Sequence, residues 1–402
     1  MENEFKVNNF DLLRIFAASQ VLVGHTVSHL DIATPPWLIK LIYAFPGVPI
    51  FFVISGFLIS ASYERSPSLK SYSRNRVLRI YPGLWCCVLA TIVVAILCGF
   101  SFSNSQAPLW IISQFVGAIY TPGFLKNFGS GSYNGSLWTI PVELQFYFLL
   151  PALYGLARKG TKDQTLCFWL TWFAFVAIGF ASSLMFPPLQ NPEGEPILQK
   201  LIRYSFFPHF FLFMSGVLLQ RLKAYESKWI AGKGTYWLAA YLAFYYVVPK
   251  APVTYVPTTL LLGIVTVSMA YSMSSLSQKI LRGNDISYGV YIYHGLVINI
   301  LVEMGLSGRA EYFVLVAGCT YLAGYVSWIV IEAPFLRKKK QTISPTLVTG
   351  EQEKQLREYL NRLHAECTAP AVKSALHEDQ RLGFRIRQGY LGGLPRHDDG
   401  TI

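Results

Sequence analysis

Apolar runs of membrane length recur along this chain, and they restrict its fold more than any other feature. About 20 apolar residues in a helix cross the hydrocarbon of a bilayer, with every backbone N–H and C=O satisfied inside the segment. Such runs fall at 10–28, 43–63, 83–101, 136–157, 165–186, 205–222, 235–249, 256–276, 286–304 and 311–331. They predict an all-α polytopic membrane protein with about ten transmembrane helices. The run 235–249 is the shortest and ends at Pro249. The segment 108–121 is apolar but too short to cross, and reads as a re-entrant or interfacial piece. Only 14% of residues are charged, against roughly 25% in soluble domains. Disorder, coiled coil and collagen are excluded over most of the length.

A net charge of +12 could suggest nucleic acid, but the basic residues sort by loop. Eighteen fall in the five segments around 65–79, 158–162, 221–233, 279–282 and 337–340. The alternate loops hold six: Lys40, Lys126, Lys200, Arg203, Lys250 and Arg309. That alternation predicts N- and C-termini both in the cytoplasm, and no nucleic-acid partner. Of the six cysteines, five lie in apolar stretches and form no zinc-type CxxC pairs, so no metal site is expected. The start, MENEFKVNNFDLLR, lacks the basic n-region of a cleaved signal peptide.

Two domains follow: membrane-embedded residues 1–340 and a polar tail, 341–402, expected to be cytoplasmic. In the tail Leu356, Tyr359, Leu360 and Leu363 share one face of a short amphipathic helix, and flexibility is expected after about residue 378. The stretch GSGSYNG at 129–135 reads as a flexible outer loop.

Ionisable groups inside spans are costly and mark candidate function. The first span carries Asp11, Arg14 and His25. At 100° per residue Arg14 and His25 differ by about 20° around the helix, with Ala18 on the same stripe. Asp11 and Arg14 are spaced to pair. The plainer alternative has Asp11 and Arg14 snorkelling and His25 at the interface. Glu143, in the fourth span, lies at a depth comparable to His25, so the two could meet. A carboxylate there would fix the imidazole tautomer and raise its basicity; a structural glutamate bonded to a Trp or Tyr is the alternative. Arg76 and Arg79, one helical turn apart, offer two guanidinium forks suited to phosphate, although the positive-inside rule also accounts for them. Ser287, Tyr288, Tyr291 and His294 put polar groups into the ninth span. Ser55–Gly56 is a small pair suited to helix packing. Glu332 closes the last span, where a nearby base would pair with it.

Several ordered stretches together resemble the acyltransferase 3 family of integral-membrane O-acyltransferases. They are DLLRIFAASQVLVGH (11–25), GVPIFFVISGFLI (47–59), RNRVLRIYP (74–82), SLWTIPVELQFY (136–147), SYGVYIYH (287–294) and IEAP (331–334). The resemblance covers about residues 8–340. It implies roughly ten spans, an acyl-coenzyme A donor (acetyl-CoA as substrate, with no tightly bound cofactor) and a sugar hydroxyl as acceptor. It places catalysis on His25, an acidic position on Glu143, and donor-side roles on Arg14, Arg76 and Arg79; Ser287 is also expected in the donor site. Some members carry a large extracytoplasmic esterase-like domain after the last spans; here a tail of about sixty residues follows.

The expected activity is therefore O-acetylation of a surface glycan or lipid-linked sugar at a bacterial inner membrane. His25 serves as general base or as transient acyl carrier, and Glu143 orients it. The alternative is a secondary transporter whose buried charges line a proton and solute pathway. A carrier calls for repeat symmetry and matching broken helices, neither of which is visible in the sequence.

Overall fold

The computed structural model describes residues 5, 7–160, 164–186, 196–341 and 358. The chain divides into two units, Met1–Lys339 and Lys340–Ile402. The expected amphipathic helix of the tail lies outside the described residues.

The described part of the first unit is helical, with no strand. In chain order it runs α1 (Phe10–His29), α2 (Pro36–Ile42), α3 (Gly47–Arg65), α4 (Leu69–Leu97) and α5 (Ala107–Val116). Then come α6 (Thr139–Gly160), α7 (Gln164–Met185), α8 (Ile197–Arg203), α9 (Phe210–Arg221) and α10 (Gly234–Val247). The last are α11 (Pro252–Ala270), α12 (Leu276–Leu281), α13 (Ser287–Glu303), α14 (Glu311–Ser327) and α15 (Ala333–Gln341). A π-helical turn, Trp328–Glu332, joins α14 to α15.

A helix occupies each of the ten apolar runs, but length separates them. Six stretches are long and apolar enough to cross a membrane: Pro36–Arg65, Leu69–Leu97, Gly135–Arg158, Gln164–Met185, Pro252–Ala270 and Glu311–Arg337. The helices α9, α10 and α13 have 12, 14 and 17 residues, short of the roughly 20 a crossing needs. Although α1 has 20 residues, Asp11, Arg14, His25 and His29 interrupt its apolar content.

Two boundaries differ from the sequence reading. The basic stretch after α3 is not a loop: Ser68 caps α4 by accepting the Ser71 N–H, and the helix runs unbroken through Arg74, Arg76 and Arg79. The segment 108–121 forms α5, which ends at Gly117 in the left-handed conformation (φ +88°), where a missing Cβ removes the steric cost. Tyr81 and Trp85 of α4 hold its end through the Val116 and Phe115 carbonyls.

The core forms where apolar helices meet with small residues between them. On α3 most residues are buried, the pattern of a helix covered all round. It crosses α9 at backbone contact: a Cβ on Gly56 would meet the Phe213 carbonyl, and one on Gly216 the Val53 carbonyl. The packing role of Gly56 is thus visible. The pair α13 and α14 cross in the same way at Gly289 and Gly324. Asn9 fixes the start of α1, donating to the Ser272 and Met273 carbonyls and accepting from the Ser277 N–H.

Candidate active site

Helices α1 and α13 run side by side in the same direction, and polar groups join them at two levels. At the first level Arg14 of α1 lies 3.3 Å from Asp285, just before α13, and 3.5 Å from Asp11. Arg79 of α4 forms an ion pair with the same Asp285 oxygen. The Ser287 hydroxyl donates to the other oxygen at 2.5 Å. Burial pushes the Asp285 carboxyl up, but Arg79, Arg14 and the Ser287 hydroxyl outweigh it and hold the group well below the usual carboxylate range. Three expected site residues therefore meet on a carboxylate that sequence reasoning missed. A usable signal was present: an aspartate two residues before a helix start, followed by serine, is a helix-entrance pattern.

Arg76 is placed differently. Among the described residues it has no carboxylate partner. Its guanidinium lies over the rings of Tyr72 and Tyr147, 5.8 and 5.6 Å from their centroids, and its buried Nε makes no hydrogen bond. Tyr147 in turn donates to Glu143, which also accepts from Ser55 at 3.1 Å.

At the second level, Nδ1 of His25 lies 3.0 Å from Nε2 of His294. The rings of His29 and Tyr291 flank the pair, 5.5 Å from His25 and 5.8 Å from His294 respectively. The expected contact between Glu143 and His25 is not formed. Glu143 turns instead to Ser55 of α3 and to Tyr147 one turn along its own helix, while His25 faces α13. Glu332, expected beside a base, accepts from the Ser327 hydroxyl at 2.9 Å and keeps one buried oxygen without a partner.

The segment 129–135 covers this second level and is held firmly. Asn299 accepts from the Ser130 N–H and hydroxyl and donates to the Ser132 and Tyr133 carbonyls. Glu303 accepts from the Gly129 N–H at 2.6 Å. Asn134 donates to the Ile292 carbonyl and sits against Gly295, where a Cβ would strike it. Gly129 here serves close approach, since a Cβ on it would strike Asn299. A cavity of about 690 Å³ has Tyr43, Arg203, His209 and Lys250 in its walls, and neither histidine of the pair lines it. The Tyr43 ring also lies against Gly24, beside His25.

The arrangement separates an ion-paired end from an end where two imidazoles meet. His25 is half-buried, and its Nε2 makes no hydrogen bond among the described residues. Such a group can take a proton from a hydroxyl.

Comparison with known proteins bears on the family. The chain is 32% identical over 372 residues to Nodulation protein 10 of Rhizobium leguminosarum bv. viciae, covering 85% of this chain and 96% of that protein. It is 28% identical over 349 residues to the O-acetyl transferase of Shigella phage Sf6, covering 84% and 99%. To the peptidoglycan O-acetyltransferase OatA of Listeria monocytogenes it is 22% identical over 323 residues, 72% of this chain and 51% of that protein. No solved structure matches. The model of the acyltransferase domain matches residues 7–330, nearly the whole membrane unit, and the chain belongs to the acyltransferase 3 family.

Proposed function

We propose that this protein transfers an acyl group, most simply acetyl, from acyl-coenzyme A to a hydroxyl of a cell-surface glycan or lipid-linked sugar at the bacterial inner membrane. The observation that carries the reading is the placing of His25: an imidazole with a free Nε2, about 16 Å along α1 from the guanidinium cluster at Arg14. The acceptor hydroxyl attacks the thioester carbonyl carbon. The new C–O bond forms as the C–S bond breaks, His25 Nε2 takes the hydroxyl proton, and the departing thiolate receives it.

On this reading all ten apolar runs cross the membrane, the short helices α9, α10 and α13 together with their flanking residues, and both termini lie inside, supported by the division of basic residues, eighteen against six. The arginine end then faces the cytoplasmic donor. Arg76, which has no anionic partner among the described residues, is the arginine best suited to a donor phosphate. Arg14, Arg79 and Ser287 act beside it through Asp285. An extended pantetheine arm spans much of the depth to His25. The cavity beside Tyr43, mostly apolar but with two cations in its walls, suits the lipid end of an acceptor.

The test is transfer of radiolabel from acetyl-coenzyme A to glycan by purified protein in lipid. His25→Ala should lower transfer by about 10²–10⁴-fold while donor binding persists, and His25→Gln should not rescue it, because an amide takes no proton at neutral pH. Near-native transfer by either variant would place the base elsewhere. Label moving across vesicles without transfer would favour a transporter.

A further inference from the structure

We propose that His294 is a positioning residue that holds His25 in the tautomer with its proton on Nδ1 and its lone pair on Nε2. The inference rests on the reading of His25 as the general base, and it gives a neutral imidazole the part that a carboxylate plays in hydrolase triads.

The 3.0 Å contact joins two ring nitrogens, so one must carry the proton and the other the lone pair. Two arrangements satisfy it. In one, His294 donates from Nε2. Its Nδ1 is then a bare lone pair, and His25 carries its proton on Nε2 and cannot act as a base. In the other, His25 donates from Nδ1. His294 then carries its proton on Nδ1, and His25 presents the lone pair at Nε2.

The surroundings of His294 choose between them. Its ring is 0% exposed, so no solvent reaches it. Its Nδ1 makes no hydrogen bond among the described residues, and the ring lies within reach of the backbone carbonyls of Val290 and Tyr291, one turn back on α13. Carbonyl oxygens accept and cannot donate. A lone pair on Nδ1 would be buried against other lone pairs, whereas an N–H there meets partial negative charge. The proton therefore belongs on His294 Nδ1, its Nε2 accepts from His25, and the Nε2 of His25 is left bare.

Packing keeps the orienting ring in place. Asn134 seats against Gly295 and donates to the Ile292 carbonyl at 2.9 Å, which fixes this turn of α13. When His25 takes the hydroxyl proton it becomes an imidazolium, and its bond to His294 becomes charge-assisted and stronger. His294 keeps its own proton throughout, so the pair completes the transfer without burying a carboxylate.

The direct test is ¹⁵N magnetic resonance of the full chain in lipid, labelled at histidine, with His25 assigned by the signals lost in His25→Ala. At pH 8, His25 should show an imine-type Nε2 and an amine-type Nδ1. A protonated Nε2 on His25 in the unaltered protein overturns the proposal, whatever the activity. His294→Phe keeps the ring shape but removes the acceptor. It should mix the two His25 tautomers and lower kcat by about 10- to 100-fold, the size of one lost charge-assisted bond, with KM for acetyl-coenzyme A unchanged. His294→Gln, whose amide oxygen can accept from Nδ1, should restore the tautomer and most of kcat. An unchanged tautomer in His294→Phe would also overturn the proposal. Full activity in His25→Ala would sink the base reading instead, and leaves the tautomer spectrum of the unaltered protein as a separate result.

Discussion

The same two helices, α1 and α13, meet twice and solve opposite problems. At the Arg14 end, full charges gather out of water: Arg14 and Arg79 share Asp285, and the Ser287 hydroxyl completes it. At the His25 end, two imidazoles meet through one contact between ring nitrogens, with no carboxylate bonded to either among the described residues. A buried charge is tolerable only when its partners are in place, so the first end is tied to one geometry. A neutral imidazole tolerates burial with a nitrogen to spare. The charged end is therefore suited to holding the helices in register, and the imidazole end to proton transfer.

The largest effect that could break this contrast is in the ion pairs. Arg79→Ala leaves Asp285 buried with half its compensation, and should cost about 3–5 kcal/mol of stability. Adding Asp285→Asn should recover much of that in a double-mutant cycle read by thermal unfolding in detergent. A harmless Arg79→Ala would mean that the charged end does not brace the fold.

Arg76 sharpens the contrast, because it lies near the charged end without a carboxylate. Arg76→Ala should leave unfolding nearly unchanged but weaken donor binding by about 10-fold or more, the value of a charge-assisted contact. Titration with acetyl-coenzyme A would show it. A large fall in stability with intact donor binding would reverse the assignment of Arg76 and Arg79.

The smallest effect is one of pH. The Asp285 carboxyl is held below its ordinary value of 3.8. Its contribution to stability is then fully present above that value and is lost only as pH falls through the lower folded value. Unfolding temperatures measured between pH 7 and 5 should show no loss from this cluster. A loss in that window that disappears in Asp285→Asn would show the carboxyl taking up protons far earlier than its arginine partners allow.

Periodicity within one segment was enough to put Arg14, Ala18 and His25 on a common face of α1, and Asp11 within reach of Arg14. It could not name what that face meets. Asp285 is 271 residues from Arg14 and His294 is 269 from His25, so those partners depend on which helices become neighbours. The pairing of Glu143 with His25 was inferred from depth alone. Depth sets a level in the membrane and not an azimuth, and Glu143 points to Ser55 and Tyr147 instead. The stretch 129–135 misled for a related reason: its glycines signal conformational freedom locally, while Asn299 and Glu303, far along the chain, remove it.

The π-helical turn at Trp328–Glu332 has a consequence for how this chain tolerates insertions and deletions. Such a turn closes its hydrogen bonds five residues apart rather than four and so absorbs one additional residue. Each residue of an α-helix advances its azimuth by about 100°. Removing one residue from inside this turn would let it relax to α-helix with the segments on either side still in register, whereas the same deletion within α14 or α15 would swing everything beyond it through that angle. Trp328, which donates to Asn284, and Glu332, which accepts from Ser327, sit at its two ends and bracket the residues that such a deletion would remove. The turn holds one residue in excess of an α-helical path, and the chain should accept a single deletion there far more readily than one elsewhere in α14 or α15.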